Sequence, residues 1–475
     1  VDKYCRQVNI SCLQGYLSAG KLCTFAPVKR MMKLSRRNKN RLKRIVQLGV
    51  VLLLILKNIF TGLSDRPEWT RDLREYPARN FLTNADNVPG YFGEMERRME
   101  RFIRRWDIPG ASVAIARNGK LVYAGGVGTA DVDAGLPVEP WHLFRIASGS
   151  KLITAAAIFH LIDEGKLSLD SRVFGLEGIL DTTLYPDIAD KRALQITVRH
   201  LLDHSGGWTT RWGDHMFIPD VIAEEMGVPP PPSIETIIAF ALGKRLHFTP
   251  GTWSSYSNLG YAILGEVVEQ VSNMEYERYV QQKLMEPLGI HDFYIAGNTR
   301  EEARVREVSY FETGNAEMIP SLDGSGELVP RSNGGNDVRT LGGAGGWIAT
   351  SADLVKFILS IDGMDSRPDI LSRESVWKMT EGSGVWGPLG WRGMDYRGNW
   401  YRTGSFAGSS AIAERRADGL TWVVLMNGSA WKGADFPLMV RQEMHRILYS
   451  ITNWPEVDLF LKTDPALAEP FPSLP

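Results

Sequence analysis

Ser148 and Lys151 stand three residues apart in FRIASGSK, the stretch from Phe144 to Lys151. A serine hydroxyl is a poor nucleophile and needs a base. A lysine can serve only if its pKa falls, through burial or neighbouring cations. Spacing alone does not select this pair, because the chain has four Ser-x-x-Lys matches: Ser18/Lys21, Ser148/Lys151, Ser375/Lys378 and Ser429/Lys432. Context does. Ser148 falls where a helix should begin, ahead of the apolar run LITAAAIFHLI. Positions i and i+3 share a helix face, so the ammonium can approach the hydroxyl. Backbone N–H groups at a helix start favour negative charge developing there.

Two further stretches belong with this one. FTPGTWSSYSNLGY contains Tyr256-Ser257-Asn258, and YRTGSFAGSSA contains Arg402-Thr403-Gly404 ahead of a strand pair. Together, and in this order, Ser-x-x-Lys, Tyr-x-Asn and a cation-Thr-Gly triplet resemble the serine β-lactamase and penicillin-binding-protein superfamily. The similarity is greatest to its class C β-lactamase-like branch of esterases and D-aminopeptidases. LLDHSGG, MEPLGI and GGAGGWIATSADLVKF look like further segments of that family, and the resemblance covers about residues 91–450.

The resemblance implies a β-lactamase/transpeptidase-like fold of the α+β or α/β class: an antiparallel sheet flanked by helices, with an inserted helical lobe. It implies Ser148 as the acylated nucleophile, Lys151 as the group that helps deprotonate it, and Tyr256 as general base. Asn258, Thr403 and Gly404 would bind substrate, with Asn258 also steadying Lys151. The backbone N–H groups of Ser148 and Ser405 would form the oxyanion hole, worth roughly 3–4 kcal/mol per donor. The family's third motif usually begins with Lys or His, whereas this chain has Arg402. Arginine keeps the charge but cannot transfer a proton. Arg402 is therefore expected to bind a substrate carboxylate through its fork of donors. No cofactor and no metal are implied.

Other chemistries lack their signatures. There is no G-x-S-x-G elbow, no H-E-x-x-H and no P-loop, and the eight histidines show no ligand spacing. His204, in DHSGG, reads as structural. The three cysteines, Cys5, Cys12 and Cys23, all precede the candidate domain, so the domain is neither a disulfide scaffold nor a thiol enzyme. A net charge of −1 over 475 residues gives no reason to expect nucleic acid.

The elements that must position these residues can be read in outline. Lys29–Arg44 holds nine basic residues and no acidic one, and the apolar Ile45–Leu56 follows. This reads as a signal anchor or signal peptide over 31–63, behind an upstream extension, 1–30, if translation starts at Met31. The bulk of the chain is then expected outside the cytoplasm, membrane-anchored and facing the periplasm or secreted. Residues 64–90 read as a linker, 91–450 as the hydrolase domain and 451–475 as a tail. GEMERRMERFIRRW has helical periodicity. ASVAIAR and KLVYAGG read as strands joined by Asn118-Gly119. Residues 150–300 read as mostly helical, broken by GVPPPPS as a loop. Residues 300–340 read as a long irregular excursion, and Ser351 or Asp353 as a helix cap. SSAIAERRADGLTWVVLMNG reads as two strands, and DFPLMVRQEMHRILYSI as a closing helix. Strands at both ends with helices between predict one sheet built from the two ends of the domain.

Two functions fit. One is an exported serine hydrolase working through an acyl-enzyme on an ester, a D-amino-acid peptide or a β-lactam amide, its partner a small molecule or cell-wall peptide. The other is a membrane-tethered penicillin-binding sensor that acylates with little turnover. Burst kinetics without steady-state turnover would separate them.

Overall fold

The computed structural model describes residues 81–463, apart from positions 313 and 315. The expected extension, the anchor and most of the linker lie outside the described residues, as does the chain from 464 onward. Among the described residues no helix is long and apolar enough to cross a membrane.

The first helix, α1 (Gly93–Arg105), buries Met95, Met99 and Ile103, four residues apart on one face, and leaves its Arg and Glu residues outside. Strands β1 (Gly110–Arg117) and β2 (Lys120–Asp131) follow. Asn118 and Gly119 between them have φ of 49° and 79°. Two left-handed residues in succession suit the primed turn that matches strand twist. The remaining sheet strands are β3 (Leu136–Pro137), β4 (Gly393–Met394), β5 (Trp400–Phe406), β6 (Ser409–Arg415) and β7 (Leu420–Met426). The sheet order is β4-β5-β6-β7-β1-β2-β3. β1 and β7 pair antiparallel, with Val113 opposite Val424, so the two ends of the domain meet in mid-sheet as expected.

Alternation divides the sheet into two apolar faces. Val113, Ile115, Trp422 and Val424 join α1 and α6 (Phe436–Ser450) in one core cluster. Arg98 of α1 bonds Glu443 of α6 at 2.7 Å over that layer. Ala114, Ala116, Val423 and Leu425 join the opposite, larger cluster. Its centre is α2 (Ser150–Asp163), which buries residues on every face. A helix apolar all round belongs in a core. Helices α3 (Asn258–Ser272), α4 (Val338–Gly345) and α5 (Ser351–Ile358) complete this side.

Three expectations change. The domain does not begin at 91 or end at 450. Asn84 Oδ1 accepts from the Gly126 N–H at 2.7 Å, Asn87 bridges the N–H and C=O of Ala124, and Leu82 is buried. At the other end Leu459 and Phe460 enter the core, and Asp458 accepts from the Leu121 N–H at 3.0 Å. Both flanks thus satisfy backbone groups of β2. Helix α5 is capped by neither Ser351 nor Asp353. The Thr350 hydroxyl accepts the Asp353 N–H at 3.0 Å, placing the cap one residue earlier. The excursion at 300–340 contains two short strand pairs, Met318–Pro320 with Leu328–Pro330 and Phe311–Glu312 with Gly428–Ser429. The buried Arg145 pins its rim by donating to Ser332 C=O at 2.7 Å and Gly297 C=O at 3.0 Å. The prolines of GVPPPPS lie, as expected, between helices Pro219–Met226 and Ile234–Leu242.

Candidate active site

The chain enters the site through a small sheet in which Phe144–Arg145 pairs with Trp347–Ala349. Ile146 N–H donates to Trp347 C=O at 3.0 Å, and Trp347 N–H donates to Ser150 Oγ at 3.2 Å. Between these anchors Ala147 takes a φ of 46°. A left-handed non-glycine costs of order 1–3 kcal/mol and persists only where the surroundings impose it. A tight turn, Ala147–Gly149, then carries Ser148 into the start of α2.

Strand β5 runs against that turn. A Cβ on Gly404 would sit 2.1 Å from Ile146 C=O, so this approach requires glycine. The same strand brings Thr403 and Ser405 to the wall of a cavity of about 270 Å³ that Ser148, Tyr256 and Asn258 also line.

The three motifs converge on Ser148. Its Oγ is 2.6 Å from Tyr256 OH and 3.4 Å from Lys151 Nζ. Lys151 is fully buried and also donates to Asn258 Oδ1 at 2.6 Å and Ala344 C=O at 2.7 Å. Burial pushes the Lys151 pKa down; Tyr256 opposes the shift and Arg402 adds to it. For Tyr256, burial of the hydroxyl end acts upward, but the Lys151 and Arg402 charges outweigh it and bring the phenol down to about 8. Tyr256 is 36% exposed as a residue, and it lines the cavity, so this end of the site is open to a substrate. A cation-stabilised phenol in contact with a serine hydroxyl can take up and return its proton.

Arg402 stands elsewhere than expected. It is 4% exposed, does not line the cavity, and donates from Nε to Ser148 C=O at 2.7 Å. Its guanidinium supports the turn that carries Ser148, so the expectation of a substrate-carboxylate clamp at 402 does not match the geometry. The cavity's arginine is Arg392, which no motif marks. It adjoins the short β4–β5 pairing, donates its N–H to Tyr401 C=O at 2.9 Å, and is exposed. Among the described residues its guanidinium makes no ion pair or hydrogen bond.

His204, expected to be structural, packs directly on Tyr256. Its ring lies 4.7 Å from that of Tyr256, its Nδ1 accepts from the Ser257 N–H at 3.2 Å, and its C=O accepts from the Ser255 N–H at 3.0 Å. Burial, and then the Lys151 and Arg402 charges, hold its pKa well below the usual histidine range. A neutral ring is thereby kept beside Tyr256. Asp214, also missed, accepts from Asn258 Nδ2 at 2.8 Å. His204 lies in the LLDHSGG segment, but its contact with Tyr256, like that of Asp214 with Asn258, joins loops distant in sequence. Among the described residues no group of three or more His, Cys, Asp or Glu side chains can hold a metal.

A sheet flanked by helices thus brings Ser148, Lys151 and Tyr256 together at the foot of a buried helix. The Beta-lactamase family model matches residues 95–440, and the chain belongs to that family. It is 28% identical over 203 residues to Protein flp of Staphylococcus aureus, covering 41% of this chain and 36% of that one. The chain thus spans about a third of that relative's length. It is 29% identical over 238 residues to Esterase EstB of Burkholderia gladioli, covering 50% of this chain and 58% of that one. In structure it resembles the octameric penicillin-binding protein homologue from Pyrococcus abyssi, with a TM-score of 0.56 and 26% identity over 74% of this chain and 77% of that one.

Proposed function

We propose that the protein hydrolyses an ester, D-amino-acid peptide or β-lactam amide bond through an acyl-enzyme on Ser148, and that its substrate carries an anionic group. The observation that carries the reading is the 2.6 Å contact between Ser148 Oγ and a Tyr256 hydroxyl whose pKa two cations bring down to about 8. In acylation the Ser148 Oγ–H proton passes to the Tyr256 phenolate as Oγ bonds the substrate carbonyl carbon. The carbonyl oxygen takes the negative charge and is met by the N–H groups of Ser148 and Ser405. Tyr256 then gives its proton to the leaving group as that bond breaks. In deacylation water attacks the acyl carbon and yields a proton to Tyr256, which returns it to Ser148 Oγ. Lys151 remains charged beside the phenolate.

The anionic group follows from charge. Arg392 faces the cavity and pairs with no carboxylate among the described residues, and Lys151 and Arg402 lie behind the wall. Guanidinium recognises a carboxylate through paired hydrogen bonds. Phe217, Leu341 and Phe406 give the rest of the wall an apolar surface, and the cavity's size suits a short acyl group. We also propose that the domain works outside the cytoplasm, on the strength of the basic run followed by Ile45–Leu56.

The test is incubation with a fluorophosphonate and with a penicillin, read by intact mass and peptide mapping. One adduct is expected, on Ser148, lost in a folded Ser148→Ala variant. An adduct on Ser375 or Ser429 would overturn the assignment. A stable adduct without turnover of any ester, peptide or β-lactam would make the protein a penicillin-binding sensor.

A further inference from the structure

Asn258 presents an oxygen at one end of its amide and an amino group at the other. The oxygen accepts from Lys151 Nζ at 2.6 Å, and the amino group donates to Asp214 Oδ2 at 2.8 Å. An ammonium only donates and a carboxylate only accepts, so one orientation of the amide satisfies both neighbours. Asp214 is itself held in place. Its Oδ1 accepts from the Met216 N–H at 3.0 Å, and its C=O accepts from the Phe217 N–H at 2.9 Å. It does not line the cavity and belongs to none of the three motifs.

We infer that Asp214 is a positioning residue for acylation: by fixing the Asn258 amide it aims the Lys151 ammonium at Ser148. The inference rests on Ser148 being the nucleophile. Lys151 has three N–H groups and three acceptors, Asn258 Oδ1, Ala344 C=O at 2.7 Å and Ser148 Oγ at 3.4 Å. Were Asn258 turned over, its amino group would confront the ammonium, donor against donor. Lys151 is fully buried, so no solvent takes the place of the lost acceptor. The ammonium would move, and a displacement of about 1 Å at a reacting centre can cost about a hundredfold in rate.

The charge acts in the same direction. Lys151 is faced by the rings of Tyr256 and Tyr261, at 4.8 and 5.5 Å from Nζ, by neutral His204, by cationic Arg402, and by Asp214 through Asn258. Asp214 raises the Lys151 proton affinity against burial and Arg402.

The decisive variant is Asp214→Asn. It keeps the side-chain size, and its oxygen can still cap Met216, since Asn is as good a cap as Asp. It sets an amino group against Asn258 Nδ2. The readouts are the rate of fluorophosphonate labelling at Ser148, and kcat and KM for a p-nitrophenyl ester across pH. The labelling rate and kcat should fall about 10–100-fold with little change in KM. The high-pH limb should move to lower pH, because Lys151 then loses its proton more easily. Combining Asp214→Asn with Asn258→Asp restores the polarity, since a carboxylate at 258 accepts from both neighbours, and should recover about tenfold over the single variant. A single variant within twofold of the parent, or a double variant no faster than the single, sinks the inference while leaving the hydrolase reading intact. A parent that is not labelled at Ser148 sinks both.

Discussion

Two cations, Lys151 and Arg402, lower the pKa of Tyr256, and in the proposed reaction they set the pH at which it takes a proton. With its pKa at about 8, the phenolate gains population as pH rises through that value. kcat/KM for a neutral ester should therefore climb through about pH 8. It should fall again at higher pH as Lys151, its own pKa depressed by burial, gives up the charge that holds the phenolate. Tyr256→Phe should lower kcat by roughly 10²–10⁴ and abolish the rising limb. A retained limb in that variant would place the base elsewhere. The two arginines should separate cleanly. Arg392→Ala should weaken an anionic substrate by about 1.5–3 kcal/mol, roughly 10- to 150-fold in KM, and spare a neutral ester. Arg402→Ala should slow both substrates alike and move the rising limb upward in pH, because a cation that lowers the Tyr256 pKa is gone. The measurement is kcat and KM for one anionic and one neutral substrate. Equal loss on both in Arg392→Ala would remove the anion-binding role.

Among the elements, β5 has the narrowest tolerance. It presents Thr403 and Ser405 to the cavity and packs Gly404 onto the backbone that leads into Ser148. In Gly404→Ala the new methyl would meet Ile146 C=O at 2.1 Å and Ala147 Cβ at 3.2 Å, so strand and turn must part. The expected cost is about 1–3 kcal/mol of stability, read by thermal denaturation, with a larger loss in Ser148 labelling than in stability. Wild-type labelling in that variant would show that the strand position is not critical. Helix α2 is the complementary element. Because it is buried on every face, the lysine it carries is buried with it, and this desolvation is the largest influence on the Lys151 pKa.

Across the whole molecule, the first and last segments of the domain are joined edge to edge. β1 lies beside β7, and the flanking chain at 81–90 and at 451–463 docks on β2. Ser148, Tyr256 and Ser405 thus come from a turn, a loop and a strand far apart in sequence, beside one large core cluster. By itself the sequence determined what short-range patterns determine. The hairpin at Asn118-Gly119, the apolar helix after Ser148 and the two-ended sheet follow from residue types at local spacing, while Ser148, Lys151, Tyr256 and Asn258 stand out through the ordered motifs and the family they resemble. Whether an arginine at 402 points into the cavity or beneath it depends on strand alternation and on what β5 packs against. The chain at 392 becomes a cavity wall only by pairing at the sheet edge. His204 and Asp214 meet Tyr256 and Asn258 through contacts that span about fifty residues, 53 from His204 to Ser257 and 44 from Asp214 to Asn258. Only the tertiary structure decided these, because hydrogen-bond partners and burial are properties of space, which a linear pattern does not encode.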